Sequence, residues 1–166
     1  PADRDFWKIF RFEFIDEPAL DAGGVAREWF SEVGRALFNV DFGLFSYGDA
    51  DNLCYQINPH SGLANETHLE YFRFVGRLLG KALFDQQLIA AHLTLPMYKH
   101  ILGWPIVMRD LEFVSQVMSK SLNEILIVED AEDLMLDFTT IDECFGKIEV
   151  VPLKRGGEDI DVTNYN

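Results

Sequence analysis

The chain has 166 residues, 48% of them hydrophobic, and its 14 basic against 28 acidic residues give a formal net charge of −14. That hydrophobic content supports a sizeable core and argues against an intrinsically disordered chain. The acidic excess would repel the phosphates of nucleic acids and of anionic lipids, so we expect neither nucleic acid nor membrane as a partner. It could attract a basic protein, or it could serve solubility alone.

Cysteine usage points to a reducing compartment. Cys54 and Cys144 fit neither a disulfide framework nor a paired-cysteine metal site, so we expect no metal and no cofactor. No apolar stretch approaches the roughly 18 residues that a membrane helix needs. The first residues are charged and aromatic, unlike a secretory leader. The expected localisation is the cytoplasm, with the nucleus as a second compartment.

Elements in the first part of the chain follow from periodicity and turn residues. Alternating apolar and charged residues predict a strand over 10–15. Asp21 can cap a helix that a glycine pair opens, and the apolar spacing predicts this helix over 25–37. Short apolar runs over 45–47 and 54–57 flank a turn and predict a hairpin.

Three further helices are predicted downstream. The longest, over 66–86, has little polar face, so we expect burial on most of its sides. Gly76 and Gly80 lie on it at i,i+4 spacing and are expected to permit close packing against another element. The other helices are predicted over 96–102, where a proline occupies the first turn, and over 111–128.

The end of the chain changes to a period of two, which indicates strands. Alternation predicts one strand over 134–138 and another over 148–153, and a glycine pair at 156–157 predicts a hairpin that returns through 160–162. The whole pattern predicts an α+β fold. We expect a mainly helical larger subdomain over 1–92 and a smaller mixed helix and hairpin subdomain over 93–166.

A series of short motifs runs along the chain in a fixed order. It includes Arg27-Glu28-Trp29-Phe30 after the glycine pair, FN…GLF at 38–45, QINPHSG at 56–62, HLEYFRFVGR at 68–77, P-x-YK-xx-LG at 96–103, DLE at 110–112 and VTN at 162–164. Single matches of this kind would be weak, but their shared order covers roughly Phe14 to Asn164. The series resembles the N-terminal lobe of the HECT domain of ubiquitin-protein ligases.

The resemblance implies that the smaller subdomain recruits a ubiquitin-conjugating enzyme in a groove between a helix and a neighbouring strand. The matching positions are Leu122 and Leu126 on the predicted helix and Leu134 and Leu136 on the predicted strand. Each pair shares one face of its element, which suits an apolar groove. The alternative is that all four leucines are ordinary core residues.

The resemblance also implies a second, non-covalent ubiquitin site. Phe145 matches the family's phenylalanine, whereas Leu53 stands where the family has a tyrosine. Leucine keeps apolar area there but lacks the ring and the hydroxyl. The alternative is that Phe145 is a buried residue that anchors a turn.

The activity implied by the resemblance is transfer of ubiquitin from the conjugating enzyme's thioester to a ligase cysteine and then to a substrate lysine. Neither Cys54 nor Cys144 lies in a segment that resembles the family's catalytic loop, which belongs to the C-terminal lobe. We therefore expect no catalytic residue in this chain, no activity of the chain alone, and substrate binding through other regions. A non-catalytic binding module with the same lobe fold is the alternative, and a plain helical scaffold is a third possibility.

Overall fold

A computed structural model describes residues 6–8, 10, 15, 24–48, 54–144 and 146–166. The chain divides into two compact units, Pro1–Ile106 and Val107–Asn166. The strand predicted over 10–15 falls outside the described residues except at its ends, and Asp21 lies outside them. None of the helices in the described part of the chain combines the length and the hydropathy that a membrane crossing requires.

The first unit is mainly helical. Its helices are α1 (Gly24–Leu37), α2 (Ser61–Ala64), α3 (His68–Phe84) and α4 (Leu95–Leu102), and strands β1 (Phe45–Tyr47) and β2 (Tyr55–Ile57) pair antiparallel. The helices predicted over 25–37, 66–86 and 96–102 are therefore confirmed, as is the first hairpin. Tyr47 lies opposite Tyr55 across that hairpin. The side-chain hydrogen bond with Tyr47 raises the pKa of the Tyr55 hydroxyl, and burial of Tyr55 raises this pKa further.

The core of this unit lies where α1, the hairpin and α3 meet. It is formed by Phe30, Leu37, Phe38, Leu44, Phe45, Val75, Leu78, Ala82 and Leu93. Phe38 stacks on Phe45 with ring centroids 4.6 Å apart. These contacts bury one face of α1 and one face of α3.

Helix α3 is less buried than the sequence predicts. Leu69 and Leu83 are 70% and 83% exposed, so the expectation of burial on most sides is wrong for this chain. No described atom lies within 4 Å of a Cβ placed on Gly76 or Gly80, so the expected close packing there is also wrong among the described residues. Both glycines lie on the exposed side of α3.

The chain before α4 is attached to the first hairpin. The backbone N–H of Tyr55 donates to the His92 carbonyl at 2.6 Å, and the N–H of Thr94 donates to the Tyr55 carbonyl at 3.0 Å. These bonds attach the segment before α4 to the first compact unit, which extends to Ile106. The subdomain boundary predicted at 92/93 rested on a change from mainly helical to mixed structure, and it stays a prediction.

The second unit combines one longer helix with a hairpin. Helix α5 spans Gln116–Ile127, strands β3 (Thr139–Cys144) and β4 (Lys147–Pro152) pair antiparallel, and 3-10 helices span Met108–Phe113, Ala131–Leu134 and Gly157–Asp159. The strand predicted over 148–153 is confirmed as β4. Together the two units confirm the predicted α+β fold class.

The helix predicted over 111–128 is in fact two elements. The Ser115 hydroxyl oxygen accepts a hydrogen bond from the N–H of Met118 at 3.2 Å, which caps α5 and makes it begin at Gln116. The Asp110 carboxylate accepts from the N–H of Val107 at 2.9 Å and holds the preceding 3-10 helix. Side-chain hydrogen bonds to the backbone thus interrupt a continuous helical period.

The strand predicted over 134–138 is wrong. Leu134 ends a 3-10 helix, and Met135 takes a left-handed conformation with φ 50° and ψ 39°, which an extended chain does not contain.

The hairpin predicted to return through 160–162 is also wrong, because β4 pairs with β3. The returning chain instead reaches Leu136, whose carbonyl accepts the N–H of Val162 at 2.8 Å.

Candidate functional site

Four leucines of the second unit lie at its surface, and we call them the leucine surface: Leu122, Leu126, Leu134 and Leu136. Their exposed fractions are 39%, 69%, 41% and 39%. Leu122 and Leu126 share a face of α5, whereas Leu134 ends the 3-10 helix between α5 and β3 and Leu136 follows it. Burial in a core of this chain therefore does not account for these four side chains.

A groove of about 600 Å³ runs along α5 beside the 3-10 helix that precedes it. Its lining residues are Glu112, Gln116, Ser119, Lys120, Asn123, Glu124, Leu126 and Ile127. Of the four leucines, Leu126 is the one among the lining residues of this groove. Ile127 also lines this groove and is 80% exposed, but the sequence prediction did not include it. Its position next to Leu126 in the apolar end of α5 could have indicated it.

Negative charge is concentrated between α5 and Leu134. This stretch carries Glu129, Asp130, Glu132 and Asp133 and has no basic residue. All four side chains are exposed, and none forms an ion pair with another residue that the structure describes. The charge is therefore solvated, and it lies next to the leucine surface along the chain. Among the described residues, no group of acidic, histidine or cysteine side chains is suited to a metal ion.

Both cysteines are free thiols and partly buried. Within the described ranges, neither sulfur has a hydrogen-bonded histidine or carboxylate that could act as a base. Both residues predicted for a second ubiquitin site, Leu53 and Phe145, lie outside the described residues. That site stays a prediction.

Comparison with known proteins agrees with the resemblance seen in the motifs. The sequence model of the family described as HECT-domain (ubiquitin-transferase) matches residues 31–166. Human E3 ubiquitin-protein ligase NEDD4 is 45% identical over 154 residues, which cover 93% of this chain and 12% of NEDD4. E3 ubiquitin-protein ligase pub1 of Schizosaccharomyces pombe is 38% identical over 162 residues, which cover 98% of this chain and 21% of pub1.

A third relative gives the same result. E3 ubiquitin-protein ligase Smurf1 of Drosophila melanogaster is 39% identical over 163 residues, which cover 98% of this chain and 15% of that protein. The chain thus spans about a fifth or less of the length of these curated relatives. The family match covers most of the chain and includes all of the leucine surface. The chain therefore belongs to the HECT-domain (ubiquitin-transferase) family.

Proposed function

We propose that this chain is the part of a HECT-type ubiquitin-protein ligase that recruits a ubiquitin-charged conjugating enzyme through the leucine surface. The observation that carries the proposal is the exposure of Leu122, Leu126, Leu134 and Leu136 in a chain of this family. Exposed apolar side chains gain free energy when a partner's apolar residue covers them, and a few such residues usually dominate an interface.

The contribution of the chain to catalysis would be proximity. A conjugating enzyme held on this unit presents its thioester to a ligase cysteine, which we place outside this chain. The thiolate attacks the thioester carbonyl and the conjugating enzyme's thiol leaves. A substrate lysine amine then attacks the new thioester, the C–S bond to the ligase cysteine breaks, and an amide forms as the ligase thiol leaves. Holding the reactants together replaces a bimolecular encounter by an effectively unimolecular step. The proposed partners are the conjugating enzyme, ubiquitin and protein substrates, in the cytoplasm or nucleus.

The substitution Leu126→Asp tests the interface. Covering a carboxylate with an apolar partner removes it from water without a compensating hydrogen bond, which costs more than the about 1–3 kcal/mol of a neutral polar group. We expect the dissociation constant for a conjugating enzyme to rise at least about tenfold. Titration of the purified chain with a panel of fluorescent conjugating enzymes measures this change.

Leu69→Asp is the matched control. Leu69 is 70% exposed and lies on α3 of the first unit, and Leu126 is 69% exposed on α5, so the two substitutions alter equally accessible leucines of helices. Only Leu126→Asp should weaken binding, and both variants should keep the wild-type circular dichroism spectrum. Wild-type affinity of Leu126→Asp, its collapse, or an equal loss in Leu69→Asp would argue against the proposed interface.

A further inference from the structure

The side chain of Asn164 connects two distant points of the second unit. Its amide Nδ2 donates to the carbonyl of Val128 at 2.9 Å, and its Oδ1 accepts the backbone N–H of Ala131 at 2.7 Å. The partners lie 36 and 33 residues earlier in the chain. Val128 follows α5 and Ala131 begins the next 3-10 helix, so one amide group fixes the geometry of the short connection between the two helices.

The chemistry of the connection explains why an amide is suited to this position. Val128 follows the last residue of α5, where carbonyl groups lack partners within the helix. Ala131 opens the next 3-10 helix, where backbone N–H groups lack partners in the same way, and it is only 3% exposed. An asparagine side chain offers one acceptor and one donor group within a single plane, so it can satisfy both backbone groups at once.

The C-terminal segment that contains Asn164 also holds the chain just after this 3-10 helix. The N–H of Val162 donates to the Leu136 carbonyl at 2.8 Å, and Asp137 forms an isolated antiparallel bridge with Asp161. Residues 161–164 therefore fix the stretch 128–137 at its beginning and at its end. Leu134 lies inside this stretch, Leu136 lies at its end, and Leu126 lies just before it on α5.

We propose that Asn164 is a positioning residue for the leucine surface. Its two hydrogen bonds hold Leu134 and Leu136 at a fixed place relative to Leu122 and Leu126, so that a partner meets all four in one arrangement. Asn164 acts through the backbone at Val128 and Ala131 and needs no contact of its own with the partner. The inference rests on the proposed binding of a conjugating enzyme, since it assigns a role within that interface.

Asn164→Ala tests the role, with Asn166→Ala as the matched control. Asn166 also makes two hydrogen bonds through its amide, to the Asp161 carbonyl and from the Thr163 N–H, but both remain within the C-terminal segment. Loss of two hydrogen bonds should raise the dissociation constant for a conjugating enzyme about tenfold in Asn164→Ala. The control should bind as the wild type does. Amide hydrogen exchange of residues 128–136 should quicken in Asn164→Ala only.

A double-mutant cycle separates positioning from general destabilisation. If Asn164 acts by placing Leu134, then Leu134→Ala should weaken binding severalfold in the wild-type background and by clearly less in the Asn164→Ala background. Additive effects, or wild-type affinity of Asn164→Ala, would overturn the positioning role while wild-type binding upholds the proposed function. Absence of binding by the wild-type chain would instead overturn the proposed function, and the inference with it.

A second substitution covers the case in which Asn164→Ala does not fold. Asn164→Asp keeps the acceptor for the Ala131 N–H but cannot donate to the Val128 carbonyl, so it should fold and still bind more weakly than the wild type. Unfolding of both variants in circular dichroism would identify Asn164 as a folding determinant and would overturn its assignment as a positioning residue.

Discussion

Lys81 is a buried cation of α3, and each of its contacts offsets the cost of removing its charge from water. Its side chain is 1% exposed and forms an ion pair with Asp85 at 2.8 Å. The ammonium group also donates to the Lys8 carbonyl at 2.6 Å and lies 4.3 Å from the ring centre of Phe10. Lys81 therefore helps to hold the described part of the N-terminal segment against α3, together with Arg77 over the Phe6 ring and Phe84 against the Trp7 ring.

Substitution of this lysine should destabilise the chain. Lys81→Ala removes the ion pair, the hydrogen bond to Lys8 and the packing on Phe10, and it leaves the Asp85 carboxylate without its cation. Breaking a buried pair from one side costs about 3–5 kcal/mol, and Asp85 retains some solvent, so we expect a loss of about 3 kcal/mol in the free energy of unfolding. Urea denaturation followed by circular dichroism measures it.

The control for this substitution is Lys120→Ala on α5. Lys120 is exposed and forms no ion pair with a residue of the described chain. Its loss should change the free energy of unfolding by no more than about 0.5 kcal/mol. Equal stabilities of the two variants would show that the contacts of Lys81 contribute nothing beyond those of a surface lysine.

At the level of elements, helices α1 and α3 use glycine for different reasons. Gly34 of α1 is buried, and a Cβ at this position would lie 2.9 Å from the Cγ2 methyl of Ile89. Gly76 of α3 is exposed and has no described atom within 4 Å of a Cβ. Close packing therefore requires glycine in α1 but not, among the described residues, in α3.

Alanine at these two positions should have effects of opposite sign. Gly34→Ala should lower the free energy of unfolding by about 1–2 kcal/mol, because the overpacking against a branched side chain exceeds the gain in helix propensity. Gly76→Ala should raise it by up to about 1 kcal/mol through helix propensity alone. Thermal melts of both variants test the pair, and a stabilised Gly34→Ala would mean that Ile89 moves aside at little cost.

Local patterns predicted some elements well and others not at all. The apolar period of α1 and the short apolar runs of β1 and β2 act over a few neighbours, so the prediction of these elements from sequence succeeded. The alternation over 134–138 was as regular, yet no strand forms there. The left-handed Met135 and the bond from Val162 to the Leu136 carbonyl determine that region, and the second of these depends on a residue far along the chain.

At the scale of the whole molecule, the chain belongs to a transferase family but its own cysteines are poor candidates for the reaction. Cys54 and Cys144 are partly buried, and within the described residues neither has a base on its sulfur. A thiol without a base forms little of the nucleophilic thiolate at neutral pH. We therefore expect the 166-residue chain to bind a charged conjugating enzyme without accepting its ubiquitin.

A thioester assay checks this expectation. The chain is incubated with activating enzyme, conjugating enzyme, ubiquitin and ATP, and the products are separated without and with reducing agent. No reducible adduct of the chain should form. A reducible adduct that disappears in Cys54→Ser or in Cys144→Ser would show that the chain carries a catalytic cysteine after all.

The sequence by itself determined the family, the fold class and the positions of the four leucines. The order of motifs can be read directly along the chain, and short-range periodicity is a property of neighbouring residues. Tertiary structure alone decided that those leucines are exposed, that Leu134 and Leu136 do not lie on the predicted strand, and that Asn164 connects the end of α5 to the next 3-10 helix. The exposure of a side chain and hydrogen bonds of this kind depend on which distant segments pack together. The periodicity of apolar residues within one segment does not specify that packing.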